Sequence, residues 1–209
     1  MFLSHSDIEN LNHIYKINLI NSCSGYKSAN LIGTKSSDGI ENLAVFSSVT
    51  HMGSSPALLG FFLRPTTVIR NTYNNIKATK YYTINPIHNS ILEQAHHTSA
   101  KYDASISEFE VTGLEAEYKN KFYAPFVANS PIQLAMEFVE EYNIKANDTI
   151  LLVGKIIGLY LDDQLIEEDG FINLSKAEIA AINGLDGYAV PENKTRFGYQ
   201  RPKQLIQTS

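Results

Sequence analysis

The arrangement of β-forming runs, more than any single motif, limits what this chain can fold into. Apolar, β-branched and aromatic residues concentrate at 29–34, 41–49, 56–63, 80–85, 111–118, 132–144 and 149–161. Helical spacing shows only at 6–22, 67–76 and 88–97. Helices do not alternate regularly with strands, which argues against a doubly wound parallel sheet. The pattern predicts a mainly β chain of the α+β class with peripheral helices, its sheet closed or split as a barrel, because closure removes unpaired edges.

Local signals refine this. Asp38-Gly39 between 29–34 and 41–49 reads as a hairpin. The nearly all-apolar 56–63 predicts a strand buried on both faces, stopped at Arg64-Pro65 because proline lacks a ladder donor. The run 132–144 has residues that would suit a helix. It is read as a strand because 149–161 follows after a turn at 145–148, giving a long antiparallel hairpin. Ser6-Asp7-Ile8-Glu9 starts a helix over about 6–22, with Ile8, Leu11, Ile14 and Tyr15 on one face framing the core. One domain is expected over 1–209, with an irregular tail after about 190.

Several function classes drop out. The net charge is −5, with no basic stripe to displace counterions, so no nucleic-acid partner is expected. Cys23 is the one cysteine, which leaves neither an intrachain disulfide nor a thiolate metal cluster. No basic-then-apolar leader opens the chain, and 150–161 is too short for a membrane span and interrupted by Lys155. A cytoplasmic, membrane-free protein is the expectation. Neither dinucleotide nor P-loop glycine fingerprints occur, nor G-x-S-x-G, nor H-E-x-x-H. His96 and His97 are adjacent, so a regular helix turns them roughly 100° apart, and no carboxylate joins them at ligand spacing; no metal site is expected.

One region is dense in hydrogen-bonding groups. Ser47-Ser48-Val49-Thr50 and Ser54-Ser55 leave a strand end together. Arg64 closes the next strand, and Thr66, Thr67, Arg70, Asn71 and Thr72 surround a helix start. Such a cluster is either an ordinary loop with its helix cap or an anion site, where helix N–H groups and an arginine face a phosphate.

The order of these motifs resembles the flavin reductase-like, FMN-binding split-barrel family: N-L-A-V-F-S-S (42–48), S-S-P-A-L-L-G-F-F-L-R-P (54–65), R-N-T-Y-N-N-I-K-A-T-K-Y-Y-T-I-N (70–85), G-K-I-I-G-L-Y-L (154–161) and G-L-D-G-Y (184–188). The resemblance implies a six-stranded antiparallel split barrel acting as a homodimer, with FMN, or FAD in its place, near the subunit contact. It places Ser47, Ser48, Val49, Thr50 and Ser55 along the flavin. Arg64 with Thr66 or Thr67, and Asn71, Thr72 and Asn75, would hold the ribityl phosphate, although Asn71 stands where an acidic residue is common. His97, Ser99 and Tyr102 are substrate-side candidates, with surface histidines as the competing reading. The implied activity is an NAD(P)H-dependent flavin reductase, with no catalytic side chain required. A non-enzymatic FMN-binding electron carrier or flavin store is the alternative.

Overall fold

Two short helices, α1 (His5–Glu9) and α2 (His13–Ser22), open the chain where the sequence predicts one. Each has its own cap: Ser4 Oγ accepts from Asp7 N at 3.2 Å, and Asn12 Oδ1 accepts from Ile14 N at 3.1 Å. Two capping side chains give two starts. Neither helix buries a residue, and Ile14 and Tyr15 are exposed, so this arm does not frame the core as expected. The computed structural model describes residues 1–192 and 195–202. The remainder of the expected tail, 193–194 and 203–209, lies outside the described residues.

The short β1 (Lys27–Ser28) leads into the expected hairpin, β2 (Asn30–Lys35) and β3 (Glu41–Phe46), in antiparallel register from Asn30↔Phe46 to Lys35↔Glu41. Next come β4 (Thr50–Ser54), β5 (Ala57–Leu63), α3 (Asn71–Thr79) and β6 (Tyr81–Pro86). A 3₁₀ turn runs into α4 (Leu92–His97), followed by α5 (Glu108–Thr112), β7 (Ala116–Glu117) and β8 (Phe126–Val127). The long hairpin is present as β9 (Ile132–Ile144) and β10 (Thr149–Leu161), with β11 (Ala181–Asn183) and β12 (Gly187–Ala189) after it.

Seven strands form one antiparallel sheet in the order β3-β2-β6-β9-β10-β5-β4. Its two edge strands, β3 and β4, are consecutive in the chain and joined only by Ser47, Ser48 and Val49. So short a link forces the sheet to curl until its edges lie side by side, which makes a barrel split along the β3/β4 seam. The strand beyond the six expected comes from β4, a Gly- and Ser-bearing stretch with no alternating pattern that reads as a loop. Two smaller sheets, β1-β11-β12 and β7-β8, flank the barrel.

Alternation along β2 shows how the layers fill. Ile32 joins Phe61, Tyr82, Ile84, Met136 and Leu152 in one cluster, while Leu31 joins Leu43, Ile87, Ile91, Phe109 and Val127 in the other. Inside the first cluster Phe46, Phe61 and Tyr82 pack edge to face, with centroids 5.1 and 5.8 Å apart. Tyr82 is fully buried and its hydroxyl has no partner among the described residues; it lies over Gly154, where β10 carries a register shift. A Cβ at Gly154 would overlap that hydroxyl.

Three expectations are corrected by neighbours the sequence does not display. Helix α3 starts at Asn71 rather than 67, because Arg64 to Arg70 run in a turn and extended backbone. The stretch 111–118 is the end of α5 and the short β7, divided by Gly113 in the left-handed conformation (φ 72°), not one strand. Strand β5 is not covered on both faces: Phe62 is exposed and Ala57, Leu58 and Leu59 are half-buried, since β5 lies next to an edge. No described helix is long and apolar enough to cross a membrane.

Candidate functional site

The seam brings three expected pieces together. Ser48 Oγ donates to Phe62 O at 3.1 Å and accepts from Phe62 N at 3.0 Å, tying the β3–β4 link to β5 two residues before Arg64. Ser28 Oγ donates to Val49 O at 2.9 Å. Ser47, Ser48 and Val49 are half-buried, Thr50 is the exposed first residue of β4, and Ser55 is exposed in the turn to β5. Arg64, Thr66 and Thr67 lie exposed on the segment that leads to α3. Backbone groups at an unpaired seam and hydroxyls beside them make a hydrogen-bonding strip; an arginine-flanked loop follows it.

Helix α3 is fixed against β2 and the start of β3 by a buried polar network. Asn42 Nδ2 donates to Thr34 Oγ1 at 3.2 Å and to Thr72 Oγ1 at 3.1 Å, and Asn75 Nδ2 donates to Thr34 Oγ1 at 3.1 Å. All four residues are buried. Thr72 and Asn75 are therefore turned toward the sheet, where they orient the helix, while Asn71 stays half-buried at its first turn. Among the described residues no side chain caps α3, and the residue before it, Arg70, has a buried Nε with no partner. Buried donors in folded proteins are nearly always satisfied by protein, water or ligand, so this orphan is a place where an acceptor can sit.

These observations meet those from known proteins. Residues 25–175 match the model of the flavin reductase-like domain. The chain belongs to the flavin reductase-like family. A candidate flavin reductase with a split-barrel domain from Shewanella frigidimarina is 44% identical, covers 96% of this chain and 100% of its own, and superimposes with a TM-score of 0.92. The fold is shared at lower identity by 2-nitrobenzoate 2-nitroreductase of Pseudomonas fluorescens (20%, all of both chains, TM-score 0.80). It is shared too by nitrilotriacetate monooxygenase component B of Bacillus cereus (14%, 94% of this chain and 98% of that one, TM-score 0.82).

Within this flavin reductase-like chain, two of the three substrate-side candidates, His97 and Tyr102, pair with each other. His97 Nε2 lies 2.6 Å from Tyr102 OH with the rings stacked, while Ser99 is exposed just past α4. His96 pairs instead with Tyr188 OH at 3.2 Å. Nearby, Glu108 at the start of α5 accepts from Leu43 N at 2.9 Å, on the edge of β3. Burial raises the Glu108 carboxyl above its usual range, with that hydrogen bond acting the other way.

Sequence reasoning missed Asn42 as an organiser and Arg70 as an orphan. A signal existed for the first: asparagine is depleted in strands, so one inside an apolar run suggests a side-chain network. Nothing in the sequence separates Arg70 from Arg64.

Proposed function

We propose that this chain binds FMN along the β3–β4 seam and works as an NAD(P)H-dependent flavin reductase, as a homodimer in the cytoplasm. The observation that carries the reading is the Ser48 tie that sets the seam's hydroxyl strip beside the end of β5, from which the arginine-bearing loop runs to α3, a helix start with no side-chain cap among the described residues. That donor set fits a flavin with a phosphate tail. Ser47, Ser48, Val49, Thr50 and Ser55 would line the ring system with backbone and hydroxyl groups. The segment from Arg64 through Thr66 and Thr67 to Asn71 would hold the phosphate end, with Thr72 and Asn75 orienting α3 from behind. When bound, the flavin supplies the hydride-accepting centre, and the protein positions the donor and biases charge around it. The His97–Tyr102 pair would border the donor's approach. Family membership and the 44% identical candidate flavin reductase support the assignment.

Purified protein should be yellow and should oxidise NADH or NADPH when FMN is supplied. A protein that holds flavin but oxidises neither nucleotide is a carrier or store, which refutes the enzymatic part. One that takes up no flavin refutes the reading entirely.

A further inference from the structure

We propose that Arg70, rather than Arg64, reads the terminal phosphate of the bound flavin and so sets the preference for a phosphorylated flavin over riboflavin. This rests on the flavin-binding reading above. The two arginines bracket one loop, but their surroundings differ. Arg64 is exposed where β5 ends. Arg70 is partly enclosed; its Nε is shut off from solvent, and its guanidinium makes no hydrogen bond or ion pair among the described residues. An enclosed guanidinium N–H left without an acceptor is destabilising, and a dianionic phosphomonoester removes that penalty by accepting from the planar fork.

The backbone around Arg70 supports the same assignment. It is extended (φ −126°, ψ 94°), its carbonyl accepts from Asn74 N at 3.0 Å, and the nine-residue helix after it has no side-chain cap. The Asn42–Thr72 and Asn75–Thr34 hydrogen bonds fix the two turns that follow, so Arg70 projects from a held support. Arg64 instead precedes Pro65 and the exposed Thr66 and Thr67, and would add long-range attraction without a fixed geometry.

The test is titration of the full chain, freed of flavin, with FMN and with riboflavin, for wild type, Arg70→Gln, Arg70→Lys and Arg64→Gln. Arg70→Gln should weaken FMN binding at least about tenfold and riboflavin binding less than about twofold, the scale of one charged hydrogen-bonding contact. Arg70→Lys should fall between, since it keeps the charge and loses the fork. Arg64→Gln should change the FMN-to-riboflavin ratio less than about threefold. A selective loss of FMN in Arg64→Gln with none in Arg70→Gln overturns the proposal. So does an equal loss of both flavins in Arg70→Gln and Arg70→Lys, which would make Arg70 a structural residue. A wild-type chain that binds neither flavin sinks the flavin-binding reading instead.

Discussion

Placing a methyl group at Gly154 tests how tightly the barrel interior is specified. A Cβ there meets the Tyr82 hydroxyl in overlap, and would stand 2.9 Å from Cζ and 3.1 Å from Cε1 of the same ring. The ring cannot swing freely, because Phe61 packs against it at 5.8 Å and Phe46 packs on Phe61 at 5.1 Å. Relief must come from β10 shifting at its register irregularity or from the three rings moving together. Overpacking of this kind costs about 1–3 kcal/mol, and a clash with a stiff aromatic belongs at the upper end. Gly154→Ala should therefore lower the melting temperature by roughly 6–12 °C, taking about 3 kcal/mol at 2–4 °C per kcal/mol for a chain of this size. Tyr82→Phe should behave oppositely, because the hydroxyl it removes is buried and unpartnered; it should be neutral or stabilising by up to about 1 kcal/mol. Combined, the two should recover part of the loss, since the ring carbons remain close, with a coupling of about 1 kcal/mol or more. Urea denaturation of the four proteins measures this. Strict additivity within about 0.3 kcal/mol, or a harmless Gly154→Ala, would refute the packing argument.

Asn42→Ala removes two buried donations and leaves Thr72 without its tie to β3, so a loss of about 2–3 kcal/mol is expected in the same denaturation assay; a loss below about 0.5 kcal/mol would show the network to be dispensable. Glu108 is held above its ordinary carboxyl pKa by burial, so its ionised form is disfavoured in the fold and the stability it contributes is lost as pH rises through the raised value. Glu108→Gln should therefore gain on wild type between pH 4.5 and 7.5, compared by melting temperature; a difference that moves the other way contradicts this sign. Under the proposed dimer, with an interface of roughly 2,000 Å² or more, FMN touching both chains should strengthen association. Light scattering on dilution, with and without FMN, reports this, and a micromolar monomer that still holds FMN tightly rules out a shared site.

Legibility in the sequence followed how local each cause was. The β2–β3 hairpin was readable from Asp38-Gly39, and β9–β10 from two long apolar runs around 145–148, because turn chemistry and alternation lie within a few residues. The end of β5 at Leu63 was readable from Arg64-Pro65. Strand β4 was not, since Thr50 to Ser54 is mostly exposed and is a strand only because β5 offers it a partner. The N-terminal arm has helical spacing, yet none of its helix residues is fully buried, and Ile14, Tyr15 and Ile20 stay exposed. Around the candidate site, residue types were legible and directions were not. Thr72 and Asn75 look like ligands in a list of polar residues, and only the buried Thr34 and Asn42 across the sheet reveal that they face inward.

The three-residue link between β3 and β4 also sets where this barrel is softest. Everywhere else around its girth, separating two strands means unzipping a ladder of backbone hydrogen bonds. At the seam no ladder exists among the described residues, and the link across it is held by few bonds, the Ser48–Phe62 pair to β5 and the Ser28–Val49 bond to β1. At about 1 kcal/mol apiece, these bonds cost far less to open than a ladder does. The wall can therefore spread like a cut ring while its seven strands stay in register, and amide protons along Ser47 to Thr50 should exchange with solvent well before those of β9 and β10. Flexibility is confined to the strip that carries the hydroxyls, and the rest of the cylinder serves as its rigid mount.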